Sequence, residues 1–188
     1  KKSVERVHKL GGRIATHVVC AEAVERAIEA GFDSIEHGTA MQESHIKEMA
    51  RKKIAFTPTM TIREGILEMW KGSGSAEEYK KTEKAVRNQA SIVRKAFDAG
   101  VTVLAGTDAG MVDHGIVAKE IVNFLEAGVD PEAALGAGSW TARHYLRYKG
   151  IAEGAHADLV VFDKNPMVYP EVLKKPVFIM LDGHQVTI

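Results

Sequence analysis

Two histidines and one aspartate each follow a short apolar run that the sequence predicts to be a buried strand. They occur in Ala15-Thr16-His17, Ile35-Glu36-His37-Gly38 and Ala105-Gly106-Thr107-Asp108. In a parallel α/β barrel the carboxyl ends of the strands converge on one mouth, where the chemistry is placed. Two imidazoles and a carboxylate at such a mouth suit a hydrolytic divalent metal such as zinc.

Each of these residues also has a purely structural interpretation. A pair of buried histidines can bond to backbone carbonyls, and Asp108 can cap the amino end of the helix that follows it. Two histidines at equivalent positions on neighbouring units, with Asp108 at a third, favour the metal. A carboxylate there can bind the metal and take a proton from its water, whose pKa falls to about 7 on coordination.

Composition limits the classes of protein to consider. Of the 188 residues 45% are hydrophobic and 27% are charged, which is ordinary for a globular domain, and the net charge is zero. Scattered basic residues give no reason to expect nucleic acid or an anionic membrane as a partner. No apolar run approaches the roughly 18 residues of a membrane span. The single cysteine, Cys20, predicts a reducing, cytoplasmic location, and we expect it to fill a small space in the core.

Helix and strand patterns alternate through most of the chain, which predicts an α/β fold with a parallel sheet. An opening helix has Val4, Val7 and Leu10 on one face, and a flexible break is expected at 72–75. The predicted barrel strands are 13–18, 32–36, 54–57 and 101–105. The predicted helices are 21–30, 42–52, 62–70, 76–99, 116–127 and 141–148. Pro131 opens a further helix between the last two. The last part changes character, with predicted strands at 158–163, 177–181 and 185–188 around an Asp182-Gly183 hairpin turn.

Three further residues lie at or after predicted strand ends, and a fourth lies on the helix that follows. Thr57 and Thr59 flank Pro58 and are candidates to line a pocket and touch substrate. His114 follows Asp108 in the same loop and is a candidate to touch substrate or orient a ligand. Glu120 is assigned to the solvated face of its helix, with support of the site as the alternative.

These motifs together resemble the amidohydrolase superfamily, in particular its imidazolonepropionase-like and prolidase-like branch. The resemblance extends to the segments Ala27-Ile28-Glu29-Ala30-Gly31-Phe32-Asp33, Glu126-Ala127-Gly128-Val129-Asp130-Pro131 and Gly154-Ala155-His156-Ala157-Asp158-Leu159. It implies that 1–150 form strands five to eight of a (β/α)8 TIM-type barrel, whose complete form needs roughly 250 residues. It also implies that 151–188 belong to a small β-sandwich.

The resemblance assigns roles to the three residues at the strand ends. His17 matches the metal ligand after the fifth strand and His37 the one after the sixth. Asp108 matches the aspartate after the eighth strand, which binds metal and shuttles a proton. The family's His-x-His pair after strand one, and the strand-four lysine that can bridge two metals, lie outside a chain expected to begin after strand four. The complete site is therefore expected to hold one or two zinc ions, and neither Lys1 nor Lys2 is assigned to it.

The function implied is metal-dependent hydrolysis of C–N bonds in amides or peptides, with a prolidase- or carboxypeptidase-like dipeptide substrate. A cyclic amide, as in imidazolonepropionase, is the alternative substrate. A second alternative is that these residues alone form an inactive half barrel that needs the missing N-terminal half. Four barrel strands leave two open edges, which predicts that such a half either aggregates or binds another half, with a homo-oligomer as a further alternative.

Overall fold

A computed structural model of the protein describes residues 1–71 and 75–187. Three short parallel strands form its first sheet in the order β1 (Ala15–Val18), β2 (Ser34–His37) and β3 (Ala55–Thr57). His17 stands beside Glu36, and Glu36 stands beside Thr57 in this register. All three strands therefore end at the same edge of the sheet, as the α/β alternation predicts.

Helices connect these strands and continue beyond them. They are α1 (Lys2–Lys9), α2 (Ala21–Ala30), α3 (Glu43–Lys52), α4 (Arg63–Trp70), α5 (Ala76–Asp98), α6 (Val117–Glu126), α7 (Pro131–Ala137) and α8 (Trp140–Tyr145). The prediction that Pro131 opens a helix is confirmed, and the Asp130 carboxylate caps that helix by accepting from the amides of Glu132 and Ala133. The break expected at 72–75 falls on 72–74, which lie outside the described residues.

The fourth predicted barrel strand is much shorter than expected. Within 101–105 the chain makes one parallel bridge, between Val103 and Phe56. The Phe56 amide donates to the Thr102 carbonyl and the Leu104 amide donates to the Phe56 carbonyl, both at 2.9 Å. The Ala105 amide then turns to the Ala137 carbonyl at the end of α7, so the ladder does not extend further.

The core lies between the outer face of the sheet and the helices. Alternation along the strands sends Ile35 and Phe56 outward, where both are fully buried against helix residues such as Val24 of α2 and Val93 of α5. The opposite, inner face carries Ser34, Glu36 and Thr57, whose polar groups line an open cleft. The amphipathic helices thus fix which face of each strand is hidden.

Leu10 and Cys20 are both exposed, and the prediction that Cys20 fills a space in the core was wrong. Leu10 is 71% exposed because α1 ends at Lys9 and Leu10 lies in the C-cap, beyond the buried face that Val4 occupies. Cys20 is exposed rather than buried, because it is the N-cap residue of α2 and its extended backbone lies outside the core.

A second sheet follows the helical region. Strands β4 (Leu159–Val161), β5 (Phe178–Leu181) and β6 (His184–Val186) pair antiparallel in that order. The predicted hairpin at Asp182-Gly183 is confirmed, with Asp182 and Gly183 both in the left-handed region at φ of 49° and 79°. The predicted third strand reaches to 188, and its last residue lies outside the described range. Within the described residues, no helix is both long and apolar enough to cross a membrane.

Gly106 shows why the loop before Asp108 needs a residue without a side chain. A Cβ atom at Gly106 would stand 2.4 Å from the Thr57 Cγ2 atom, well inside van der Waals contact. The loop can therefore approach the end of β3 only because no Cβ is present.

Replacing Gly106 with alanine should lower the free energy of unfolding by about 1–3 kcal/mol, the usual cost of overpacking. Adding Thr57→Ser, which removes the clashing methyl group, should restore part of that loss in the double variant. Gly65→Ala is the matched control, because a Cβ there meets no atom within 4 Å and alanine favours α4. Urea unfolding of the four proteins measures this, and equal stability of Gly106→Ala and Gly65→Ala would contradict it.

Candidate metal centre at the strand ends

His17 and His37 meet where β1 and β2 end. Their ring centroids lie 4.4 Å apart with the ring planes at 67°, an edge-to-face contact. Because His37 is paired with Val18, it lies one residue further along the sheet edge than His17. The two imidazoles are therefore adjacent, as the sequence predicts for residues that end neighbouring parallel strands.

Three non-glycine residues around this contact have left-handed backbones. His37, Thr59 and Asp108 have φ of 68°, 48° and 55°. Such conformations cost free energy, above all for a β-branched residue such as Thr59, and they occur often at functional sites. Each of the three follows a predicted strand, so the strain is concentrated where the sequence locates the chemistry.

His37 is held by the surrounding protein. Its side chain is buried, and Nδ1 lies 2.8 Å from the Thr59 hydroxyl oxygen. Burial, reinforced by the neighbouring His17 ring, lowers the pKa of His37, while the Asp108 and Glu36 carboxylates oppose that shift. The shift favours the neutral imidazole, which is the form that binds a metal.

The other candidate residues are more open. His17, Asp108 and His114 are exposed, and Thr57 is half-buried on the wall of the cleft. Thr59 is only 3% exposed and its hydroxyl contacts His37, so its position suits support of that ring better than contact with substrate.

These residues fit part of a metal centre. Zinc in proteins takes three or four protein ligands. Across 1–71 and 75–187, no three His, Cys, Asp or Glu side chains are grouped so that they could hold a metal ion. The adjacent imidazoles of His17 and His37 supply two nitrogen donors, and a complete site needs further ligands.

A buried carboxylate lies behind the turn that follows β3. Glu120 of α6 has no exposed surface, which shows that its assignment to a solvated face was wrong. Its carboxylate accepts from the amides of Met60 and Thr61 at 2.7 and 2.8 Å and from the Thr61 hydroxyl at 2.5 Å. These three donors, with the Asn123 side-chain nitrogen at 3.5 Å, replace the water that the side chain gives up on burial, but burial still raises the pKa of Glu120.

The buried side-chain amide of Gln89, on α5, is hydrogen-bonded to the same turn. The Gln89 side-chain nitrogen donates to the Pro58 carbonyl at 2.7 Å and to the His37 carbonyl at 3.3 Å. Its oxygen has no hydrogen-bond partner within the described part of the chain. The two donor bonds join the end of β2 to the turn after β3.

The cleft on the inner face of the sheet has a volume of about 540 Å³. Glu36 and Thr57 line it, together with Arg13 and Tyr145. The Ser34 hydroxyl donates to Glu36, and the Arg13 guanidinium carbon lies 4.2 Å from the centre of the Tyr145 ring. The lining is mostly apolar, with these polar groups set into it, and Glu36 on it is the strand neighbour of His17.

Sequence reasoning assigned no role to Glu36 or Gln89. Alternation in Ser34-Ile35-Glu36 puts Glu36 on the face opposite the core residue Ile35, so its inward direction could have been found. Gln89 lies on the apolar face of α5 between Val86 and Ile92, and a polar residue in such a stripe was the available signal.

Residues 1–187 match the family model described as "Amidohydrolase family". The chain belongs to the amidohydrolase family. An uncharacterized protein of Mycobacterium tuberculosis (strain ATCC 25618 / H37Rv) is 33% identical over 185 residues, which are 97% of this chain and 50% of that protein. The ochratoxinase of Aspergillus niger is 26% identical over 183 residues, which are 94% of this chain and 38% of that enzyme.

Solved structures agree with this relationship. A Xaa-Pro dipeptidase with methionine bound in its active site superposes with a TM-score of 0.85 at 30% identity, over 98% of this chain and 47% of the dipeptidase. The crystal structure of A. niger ochratoxinase superposes with a TM-score of 0.80 at 25% identity. The α/β fold of the family is thus present, and the chain spans about half the length of the relatives it matches, or less.

Glu120 should make stability depend on pH in a defined direction. Because its pKa is raised in the folded protein, its contribution is fully present below the ordinary glutamate pKa and is lost as pH rises through the folded value. The advantage of the wild type over Glu120→Gln in free energy of unfolding should therefore be larger at pH 5 than at pH 8. Urea unfolding at both pH values measures it, and a larger advantage at pH 8 would contradict this assignment.

Proposed function

We propose that this chain is the second half of a metal-dependent hydrolase that cleaves C–N bonds in amides or peptides. In this proposal 1–150 supply strands five to eight of the barrel and 151–188 supply strands of a small β-sandwich. The observation that carries the proposal is the adjacency of His17 and His37 at the end of two parallel strands. Membership of the amidohydrolase family supports it.

His17 and His37 would bind the metal, and Asp108 would either be a third ligand or lie beside the metal. Zinc is the metal that these donors suit best, with one or two ions in the complete protein. When bound, such a metal supplies a water that is nucleophilic at neutral pH and polarises the substrate carbonyl. The lowered pKa of His37 keeps its ring ready for this role, because a protonated imidazole cannot bind a metal.

Asp108 would move the proton that the reaction requires. The water oxygen forms a bond to the carbonyl carbon, the C–N bond breaks, and one water proton must reach the departing nitrogen. An exposed carboxylate at the mouth can accept that proton on an oxygen and pass it to the nitrogen. The left-handed backbone of Asp108 supports this role, since it holds the residue in a strained position at the site.

A dipeptide with a C-terminal proline is the first substrate to test. Similarity to the Xaa-Pro dipeptidase at 30% identity favours it, and a cyclic amide is the alternative. Thr57 lies on the wall of the cleft and His114 is exposed in the loop after Asp108, so both are candidates to contact the substrate.

The remaining ligands would come from an N-terminal half of the same barrel. The open inner face, with Glu36 and Thr57 on the cleft wall, is the surface that this half would cover. The 188 residues alone would then be inactive, and a homo-oligomer is the other way to cover the open edges. A cytoplasmic location remains part of the proposal.

Metal binding tests the roles of the two histidines. In the complete gene product, His17→Ala and His37→Ala should each lower zinc affinity beyond the roughly 10–100-fold that loss of an outer-shell partner costs. His156→Ala is the control, because His156 is exposed and bonded to Asp182 in the second sheet. Zinc content after dialysis against a graded chelator measures this, and unchanged zinc content in both variants would contradict the site.

Turnover tests the substrate and the need for a second half. The complete gene product should hydrolyse Xaa-Pro dipeptides, lose that activity with chelator and regain it with zinc. The 188-residue chain should show no turnover under the same conditions. Hydrolysis of cyclic amides alone would select the alternative substrate, and full activity of the 188 residues would contradict the half-barrel account.

A further inference from the structure

A chain of buried hydrogen bonds connects α6 to the ring of His37. It begins at the Glu120 carboxylate, passes through the backbone of the turn 58–61, and ends at the Thr59 hydroxyl 2.8 Å from His37 Nδ1. Glu120, Thr59 and His37 are 0%, 3% and 7% exposed, so water does not compete at these positions. The connection spans about sixty residues of sequence, and packing alone would not require a carboxylate at its far end.

We infer that Glu120 is a positioning residue that sets the tautomer of His37 through the turn 58–61 and Thr59. The inference rests on the proposed function in one respect, namely that the free nitrogen of His37 is the one that faces the metal. Glu120 touches neither substrate nor metal in this account. It acts by fixing the place of the Thr59 oxygen.

The hydrogen-bond geometry explains how the effect is transmitted. Thr59 has a left-handed backbone at φ 48°, which a β-branched residue adopts only when its neighbours hold it there. Both oxygens of Glu120 accept from the two amides that follow Thr59, so the carboxylate fixes the peptide planes on its C-terminal side. Gln89 fixes the N-terminal side by donating to the carbonyls of Pro58 and His37.

The Thr59 hydroxyl could accept from Nδ1–H or donate to an unprotonated Nδ1, and in this inference it is the acceptor. With the hydroxyl oxygen held at Nδ1, the ring can donate Nδ1–H and keep the Nε2 lone pair free. Histidines that bind metals almost always donate their other ring N–H to a partner in this way. A carboxylate is needed at residue 120 because a glutamine has only one oxygen, and its amide group cannot accept from the second backbone N–H.

Nitrogen-15 NMR of the histidine rings tests the inference without metal or substrate. In the metal-free 188-residue chain at pH 8, the wild type should show His37 mainly as the Nδ1–H form. Thr59→Val, which keeps the shape but removes the oxygen, should reduce the ratio of Nδ1–H to Nε2–H by about fivefold, the ratio that one ordinary hydrogen bond supports. Thr59→Ser should restore it.

Glu120→Gln should shift the ratio in the same direction as Thr59→Val, and the matched control Glu126→Gln should leave it unchanged. Glu126 is exposed at the end of the same helix. The control therefore makes the same change of charge in the same helix, away from the turn. A ratio in Glu120→Gln equal to that in Glu126→Gln would overturn the inference.

If Glu120→Gln does not fold, Thr61→Val decides the question, because it removes only the hydroxyl that donates to Glu120. A smaller shift toward Nε2–H in Thr61→Val supports the inference, and no shift overturns it.

The result can be separated from the proposed function. In the complete gene product Glu120→Gln should also weaken zinc binding, by less than the roughly 10–100-fold that loss of the direct outer-shell partner costs. A shifted tautomer in a protein whose wild type binds no zinc would refute the proposed function and leave the positioning role intact. Wild-type zinc binding with an unshifted tautomer in Glu120→Gln would refute the positioning role alone.

Discussion

Parallel pairing between β1, β2 and β3 brings the carboxyl end of each strand to one edge of the sheet, and the features of the site depend on that alignment. In this register His17 is beside Glu36 and Val18 is beside His37. If the register of a strand shifted by one residue, its side chains would exchange faces. His17 or Glu36 would then point into the core, and Ile35 or Phe56 would point to the open face. The hydrophobic effect that buries Ile35 and Phe56 therefore also determines that the two imidazoles meet.

Burial of apolar side chains favours folding, whereas the polar network behind the site carries a desolvation cost. Glu120 and Gln89 are buried in a region otherwise filled by apolar side chains, and burial raises the pKa of the carboxyl group. An apolar residue at either position would avoid this desolvation cost but would leave buried backbone groups of the turn without partners. What the two side chains provide is a fixed turn, with Thr59 held in a strained backbone against His37. The hydrogen bonds that offset this cost also hold the His37 ring in one orientation.

The sequence could predict much of the fold, because it rests on local patterns. Helix α2 was predicted with its bounds, since the periodic apolar face of Val24, Ala27 and Ile28 and the following Gly31 are properties of the segment itself. Residues 101–105 were predicted as a strand, but only one bridge forms, since ladder length depends on partners elsewhere in the chain.

The same distinction holds for the candidate site. His17, His37 and Asp108 could be located because each closes an apolar run. Glu120 was misplaced because its surroundings come from the turn after β3, some sixty residues earlier in the chain. Whether a carboxylate on a helix faces water or a distant turn depends on tertiary contacts. The spacing of residues along the sequence does not reveal those contacts.

Anomalous diffraction at the zinc edge, from crystals of the complete gene product grown with zinc, tests the central claim most directly. The account predicts a peak within about 2.1 Å of one imidazole nitrogen of His17 and one of His37, the usual zinc–histidine distance, when both bind the same ion. If the complete site holds two ions, each imidazole should lie at that distance from one of them. Zinc peaks that contact neither histidine would contradict the account.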